Sequence, residues 1–218
     1  MTEQGRIFYV DSINGDDSWS GFTPEEAWKS LEKVNEMIFQ PGDHIRFRRG
    51  GEWHGMLRFQ GNGSAWSPIA VEVYGEGGMP QIHGDGCYAA VLLEGVSHWR
   101  VKELAVTNEA ETRSVRQGIC ICGSPQGITE DIVIEGCEIS RVAGENRRAR
   151  DVYQSMYWNS GIYVTMPGRS SDKNHLHDII ISNNYVHDVL TSGIRVNQQE
   201  DFINDIHHTH VVVRGNRI

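Results

Sequence analysis

The sequence predicts an all-β solenoid, a parallel β-helix preceded by an N-terminal amphipathic capping helix. Three observations predict it. Two families of short apolar segments recur in phase, with one shared irregular period. Only one stretch, near the N-terminus, carries a helical apolar stripe. The 24 glycines against 6 prolines mark tight turns between short strands rather than a linker.

Arg6-Ile-Phe-Tyr-Val-Asp11 reads as a short strand and Asn14-Gly15 as a turn. Thr23 stands as an N-cap, with Pro24 at the first helical position and Glu26 completing a capping box. Ala27, Leu31, Val34 and Ile38 then line one stripe. That stripe predicts a helix lasting until Pro41-Gly42 and lying across an open end of the core.

Beyond it the pattern changes to short runs. Val101-Lys-Glu-Leu-Ala-Val, Ile134-Glu-Gly-Cys-Glu-Ile, Ile181-Ser-Asn-Asn-Tyr-Val and Val213-Arg-Gly-Asn-Arg-Ile stack in steps of 33, 47 and 32 residues. The long step holds insertions at 143–158 and 167–177. A second set keeps the phase: Val91-Leu-Leu-Glu-Gly, Gly118-Ile-Cys-Ile-Cys-Gly, Gly161-Ile-Tyr-Val-Thr and Gly193-Ile-Arg-Val-Asn. Each coil of such a solenoid pairs in parallel with the coils above and below, about 4.8 Å apart. Alternation points Ile119/Ile121, Ile162/Val164 and Ile194/Val196 inward as a stacked core. Asn184 and Asn216 occupy one corner, where asparagine tolerates left-handed backbone and bonds its equivalent in the next coil; Leu104 and Cys137 hold it earlier. Trp99 aligns with inward Ile132 and Ile179, Trp28 and Trp53 belong with the cap, and Trp66 precedes the first regular coil.

The chain accordingly divides into 1–66, a strand and helical cap leading into the first coil, and 67–218, the coils. Residues 211–218 fall in mid-coil with no capping element. The expectation is that this end meets further coils or another chain.

At 218 residues and 39% apolar the chain can bury one sizeable core. A formal charge of −9 argues against nucleic acid as a partner. No run approaches the roughly 18 apolar residues that span a membrane. Met1-Thr-Glu-Gln-Gly5 lacks the basic and apolar regions of a signal peptide. Sixteen arginines stand against four lysines. Arg113, Arg116, Arg141, Arg147, Arg148 and Arg150 crowd one stretch, suited to an anionic ligand. Cys87, Cys120, Cys122 and Cys137 make no CxxC and read as small buried or half-buried thiols. His175-x-His177 and His207-His208-x-His210 have metal-like spacing without a carboxylate or cysteine at set spacing, and read as turn histidines. Asp16-Asp17 reads as a structural turn near the cap.

Several motifs together resemble a known group. Tyr9-Val-Asp-Ser-Ile-Asn-Gly-Asp-Asp17 before the capping helix, the Pro41-Gly42-Asp43 turn, Arg49-Gly-Gly-Glu-Trp-His-Gly55 and Ser67–Gly75 resemble the N-terminal part of secreted right-handed parallel β-helix proteins of the pectate-lyase-like superfamily. The resemblance implies a right-handed coil, a secreted or periplasmic native setting, and a polysaccharide or oligosaccharide as partner. It also implies a groove along the first strand of each coil, here the Gly-Ile-x-Val set. Alternation then predicts two outward columns: Leu92, Cys120, Tyr163 and Arg195, and next to it Glu94, Cys122, Thr165 and Asn197. Entering loops add Arg113, Arg116, Gln117, the segment 147–160 and His187-Asp188.

The first functional expectation is a polysaccharide lyase that cleaves a uronate-containing polymer by β-elimination. It needs a cation or arginine to neutralise the carboxylate, and a base for the acidified proton. Arg195, Tyr163 and Asp188 are the predicted catalytic groups, with Arg147, Arg148, Arg150, Trp158 and Asn197 holding substrate. Ca²⁺ would be bound by Asp151, Asp188 or Glu94 if several converge. The superfamily's paired calcium aspartates on adjacent coils have no clear copy here. The second expectation is a glycoside hydrolase using two carboxylates about 5–9.5 Å apart, with Glu94 and Asp151 or Asp188 as members. The polygalacturonase-like Asn-Thr-Asp, Asp-Asp and Gly-His-Gly series is missing. A third is a non-catalytic binding or structural module.

Overall fold

The computed structural model describes residues 5–112, 114–144, 159–167, 174–197 and 208–218. Strand β1 (Ile7–Val10) is followed by a 3₁₀ turn over Pro24–Glu26 and one helix, α1 (Leu31–Glu36). The chain then winds in triplets. The first are β2 (Ile38–Phe39), β3 (His44–Arg48) and β4 (Glu52–His54), then β5 (Leu57–Gly61), β6 (Ile69–Tyr74) and β7 (Gln81–His83). Next come β8 (Ala89–Glu94), β9 (Trp99–Lys102) and β10 (Ala105–Asn108), then β11 (Gln117–Cys122), β12 (Thr129–Glu135) and β13 (Glu138–Val142). The last are β14 (Ser160–Thr165), β15 (Leu176–Ser182) and β16 (Tyr185–Val189), then β17 (Ser192–Val196) and β18 (Thr209–Arg214). Each member of a triplet joins its own sheet. The three sheets run β2-β5-β8-β11-β14-β17, β1-β3-β6-β9-β12-β15-β18 and β4-β7-β10-β13-β16. The fold is the predicted right-handed parallel β-helix. Its seven-stranded sheet continues unbroken from β1 to β18.

The stacking expected from the repeats is the register observed. Val101, Ile134, Ile181 and Val213 pair in one row, and Val91, Ile119, Ile162 and Ile194 in another. Inward Ile119, Ile121, Ile162 and Val164 are buried, as is Trp99 in line with Ile132 and Ile179. Ile194 is half-buried and packs against this core, whereas Val196 is exposed, as β17 has a strand neighbour on only one side among the described residues.

The capping helix forms, but shorter than the stripe predicts. Trp28 is drawn into a parallel bridge with Val10, its amide donating to Tyr9 and its carbonyl accepting from Asp11. The Asp17 carboxylate accepts the amides of Lys29 and Ser30, which holds that segment extended. The helix restarts at Ser30, whose hydroxyl accepts from the Lys33 amide. Ala27, Leu31 and Val34 are buried as expected. Ile38 is not: it lies in β2 and is 60% exposed, while its neighbour Phe39 enters the core.

At the asparagine corner, Asn184 donates to the Asn216 side-chain oxygen at 3.0 Å and to the Ile134 carbonyl at 3.0 Å. Its own oxygen accepts the Cys137 amide at 2.9 Å. Left-handed backbone falls one residue earlier than expected, at Glu103, Gly136, Asn183 and Gly215 in successive coils. The asparagines thus serve by their amides rather than by tolerating strain. A second left-handed column, His98, Asp131, Asp178 and His210, lies on the seven-stranded sheet. There His98 pairs with Asp131 and His210 with Asp178 across adjacent coils; His177 and His210 lie in β15 and β18 rather than in turns, and His210 is exposed. Asp16 caps a turn through the Ser18 amide, as its position suggested, while Asp17 ties that loop to Lys29 and Ser30.

Candidate functional site

The predicted outward columns exist on the six-stranded sheet. Leu92, Cys120, Tyr163 and Arg195 are register partners, and so are Glu94, Cys122 and Thr165. Asn197 follows β17 and donates its amide to Val164. Parallel pairing makes this column rigid, because each side chain stands one coil from the next. It begins one coil earlier than the sequence repeat showed: Arg58 on β5 pairs with Leu92. The alternation Leu57-Arg58-Phe59-Gln60 carried that signal, but its coil has no Gly-Ile-x-Val segment. Arg58 reaches the Glu94 carboxylate at 2.8 Å.

The middle of the column is dry. Ala89, Leu92, Cys120 and Tyr163 form a small apolar cluster outside the main core, flanked by Met56 and Cys122. Tyr88 sets its hydroxyl 3.9 Å from the Cys120 sulfur. Burial pushes the Cys120 thiol up, and burial with the nearby Glu94 charge pushes Cys122 up to about 11. Neither is a thiolate near neutral pH, and all four cysteines are free.

Tyr163 is 3% exposed. Burial raises its pKa, against hydrogen bonds with Thr165 and Asn197 and the charge of Arg195, which favour the phenolate. The net direction is upward. Arg195, its register partner, donates to the Asn197 side-chain oxygen at 3.3 Å. Tyr163, Arg195 and Asn197 therefore come together as predicted from sequence.

Asp188 does not join them. It lies in β16 of the five-stranded sheet, with its side chain 73% exposed and bonded to His187 at 2.8 Å. Arg116, expected at the groove entrance, is buried instead. Its guanidinium donates to the carbonyls of Thr112 and Ala143, tying two loops together. Arg113, Arg147, Arg148, Arg150, Asp151 and Trp158 lie outside the described residues. Among the described residues, no group of three or more histidine, cysteine or acidic side chains is placed to hold a metal ion. Among the described residues, no helix is long and apolar enough to cross a membrane.

No family model matches the chain. It is similar to a lacto-N-biosidase of Bifidobacterium longum subsp. longum, 31% identical over 136 residues, which covers 50% of this chain and 8% of that protein. Among solved structures it resembles the GH136 lacto-N-biosidase from Eubacterium ramulus. The TM-score is 0.80 at 22% identity, over 97% of this chain and 41% of that one. An alginate lyase from Paenibacillus sp. aligns at a TM-score of 0.51 and 14% identity, over 97% of this chain and 75% of that one. The chain thus spans less than half the length of the lacto-N-biosidases it matches.

Proposed function

We propose that this chain is part of a carbohydrate-active β-helix protein of the pectate-lyase-like superfamily, and that it holds glycan along the six-stranded sheet for glycoside hydrolysis. The observation that carries the hydrolase reading is the 31% identity over 136 residues with a lacto-N-biosidase. Glu94 is the carboxylate on the described columns, and Asp151, its predicted partner, lies outside the described residues. In this reading Tyr163, Arg195 and Asn197 orient a sugar unit and Glu94 is one member of the carboxylate pair. A secreted or periplasmic setting goes with such a substrate.

A second reading, cleavage of a uronate polymer, is favoured by one observation: Arg195 stands beside Tyr163, where a guanidinium can neutralise a carboxylate. The test is to offer the protein a chromogenic lacto-N-bioside, alginate and polygalacturonate. Binding is read by calorimetry, and turnover by released chromophore or by the absorbance of unsaturated uronates. The hydrolase reading expects the lacto-N-bioside to bind and Tyr163→Phe to weaken binding by roughly 2- to 10-fold, the loss of one hydrogen bond. Unsaturated products from the acidic polymers would overturn it in favour of the lyase. If no glycan bound or turned over, the chain would be a structural module.

A further inference from the structure

The five-stranded sheet carries a concave polar surface of its own, a cleft of about 450 Å³ across β7, β10, β13 and β16. The register explains the concavity. Along one outward row, His83 pairs with Thr107, Thr107 with Ser140, and Ser140 with His187. Along the next, Gln81 pairs with Ala105 and Ala105 with Glu138. In the first row the short Thr107 and Ser140 stand between His83 and His187, and in the second Ala105 stands between Gln81 and Glu138. The floor is Ala105, Thr107 and Ser140, and the walls are Gln81, Glu138 and His187.

The walls are ordered by their own contacts. His187 is clamped between two carboxylates, Asp188 on one ring nitrogen at 2.8 Å and Glu138 on the other at 3.2 Å. Its ring stacks on Tyr185 with centroids 4.2 Å apart. Arg141 and Asp188 occupy equivalent bulge positions in adjacent coils, both with left-handed backbone, and both line the cleft. Two carboxylates against an arginine and a clamped histidine leave little net charge. What remains is a dense alternation of donors and acceptors around hydroxyls and an amide.

We propose that this cleft is a second ligand site, separate from the groove of the six-stranded sheet, for a neutral polyhydroxylated molecule of mono- or disaccharide size. A ring bearing hydroxyls on successive carbons meets acceptors from Glu138 and Asp188 and donors from Arg141 and Gln81. Its edge rests on the small floor residues. An anion would face both carboxylates, and an apolar ligand would strand the polar walls. The inference does not depend on the groove's activity.

The His187 imidazole resonances report on the cleft during titration with lactose, N-acetyllactosamine and digalacturonate. The neutral sugars are expected to shift them saturably. Ser140→Trp, which fills the floor, should weaken that midpoint at least about tenfold, and Glu138→Gln should weaken it less. Thermal melts confirm that both variants fold. Tyr163→Phe should leave the His187 midpoint unchanged, since it alters only the groove. An unmoved His187 at saturating neutral sugar, or an unaltered midpoint in Ser140→Trp, overturns the site. A stronger response to digalacturonate overturns the ligand class.

Discussion

Asn184 shows how much a single corner side chain can organise. It is buried, and its amide satisfies backbone and side-chain groups in the coils on both sides. Replacing it with alanine leaves the Cys137 amide and the Ile134 carbonyl without that partner. We expect Asn184→Ala to cost about 2–6 kcal/mol, from about 1–3 kcal/mol for each of the two buried groups stranded. Urea unfolding should show a lower midpoint with an unchanged slope. Asp43 is the acidic counterpart near the N-terminus. Burial works to raise its pKa, but bonds from the Arg6 guanidinium and the amides of Gln40 and Arg6 outweigh it and hold it below the ordinary range. Its folded pKa is depressed, so its stabilisation is present above the unfolded value near pH 4 and is lost as pH falls through the folded one. Asp43→Asn should therefore lower stability at neutral pH and flatten the acid limb of the stability profile. His187 has the opposite sign. Hydrogen bonds that it donates to the carboxylates of Asp188 and then Glu138 raise its pKa, so its contribution is complete below about pH 6.5 and fades as pH rises through the folded value.

Secondary-structure elements succeed or stop according to what their ends must bond to. The stripe Ala27-Leu31-Val34-Ile38 is a sound helical signal, yet the helix keeps only Leu31–Glu36. Strand β1 needed a backbone partner beside Val10, and Trp28 supplied it. Thr23 caps the 3₁₀ turn, with Pro24 following it, and Ser30 caps α1, so Ser30→Ala should cost about 1 kcal/mol, whereas Thr23→Ala, at an exposed turn, should cost less. Chemical denaturation of the two variants checks this. Gly118 shows a different constraint within β11. A Cβ there would sit 2.5 Å from both the Gly161 carbonyl oxygen and the Ile139 methyl, where the six- and five-stranded sheets converge. Gly118→Ala should destabilise by about 1–3 kcal/mol through overpacking. The glycine was visible as the first residue of each Gly-Ile-x-Val segment. Its reason was not, because Ile139 is remote in sequence.

Across the whole molecule, stability is expected to vary along the solenoid axis, because each coil contacts only its neighbours. Strands β11 and β12 have paired strands on both sides, and their inward residues are fully buried. β17 and β18 are partly exposed along their length. Hydrogen exchange should therefore be slowest in β8–β15 and fastest in β17 and β18. Uniform protection from end to end would contradict this picture. At this scale the sheets also divide the candidate residues. Tyr163, Arg195 and Asn197 share one face, and Asp188 faces the cleft on another. The sequence placed His187-Asp188 in a loop entering the groove, whereas both residues belong to β16.

The sequence alone determined the coil, its register and its inward residues. Side-chain alternation and parallel stacking are local rules, and a repeat in the sequence is a repeat in space. It also determined which side chains form the outward columns of the six-stranded sheet, since outward is what inward leaves over. Only the tertiary structure decided how far the helix runs, that Arg116 ties loops rather than meeting a ligand, and that a cleft opens over Thr107 and Ser140. Those outcomes depend on contacts between coils and between sheets, where residues far apart in sequence compete for the same hydrogen bonds and the same space.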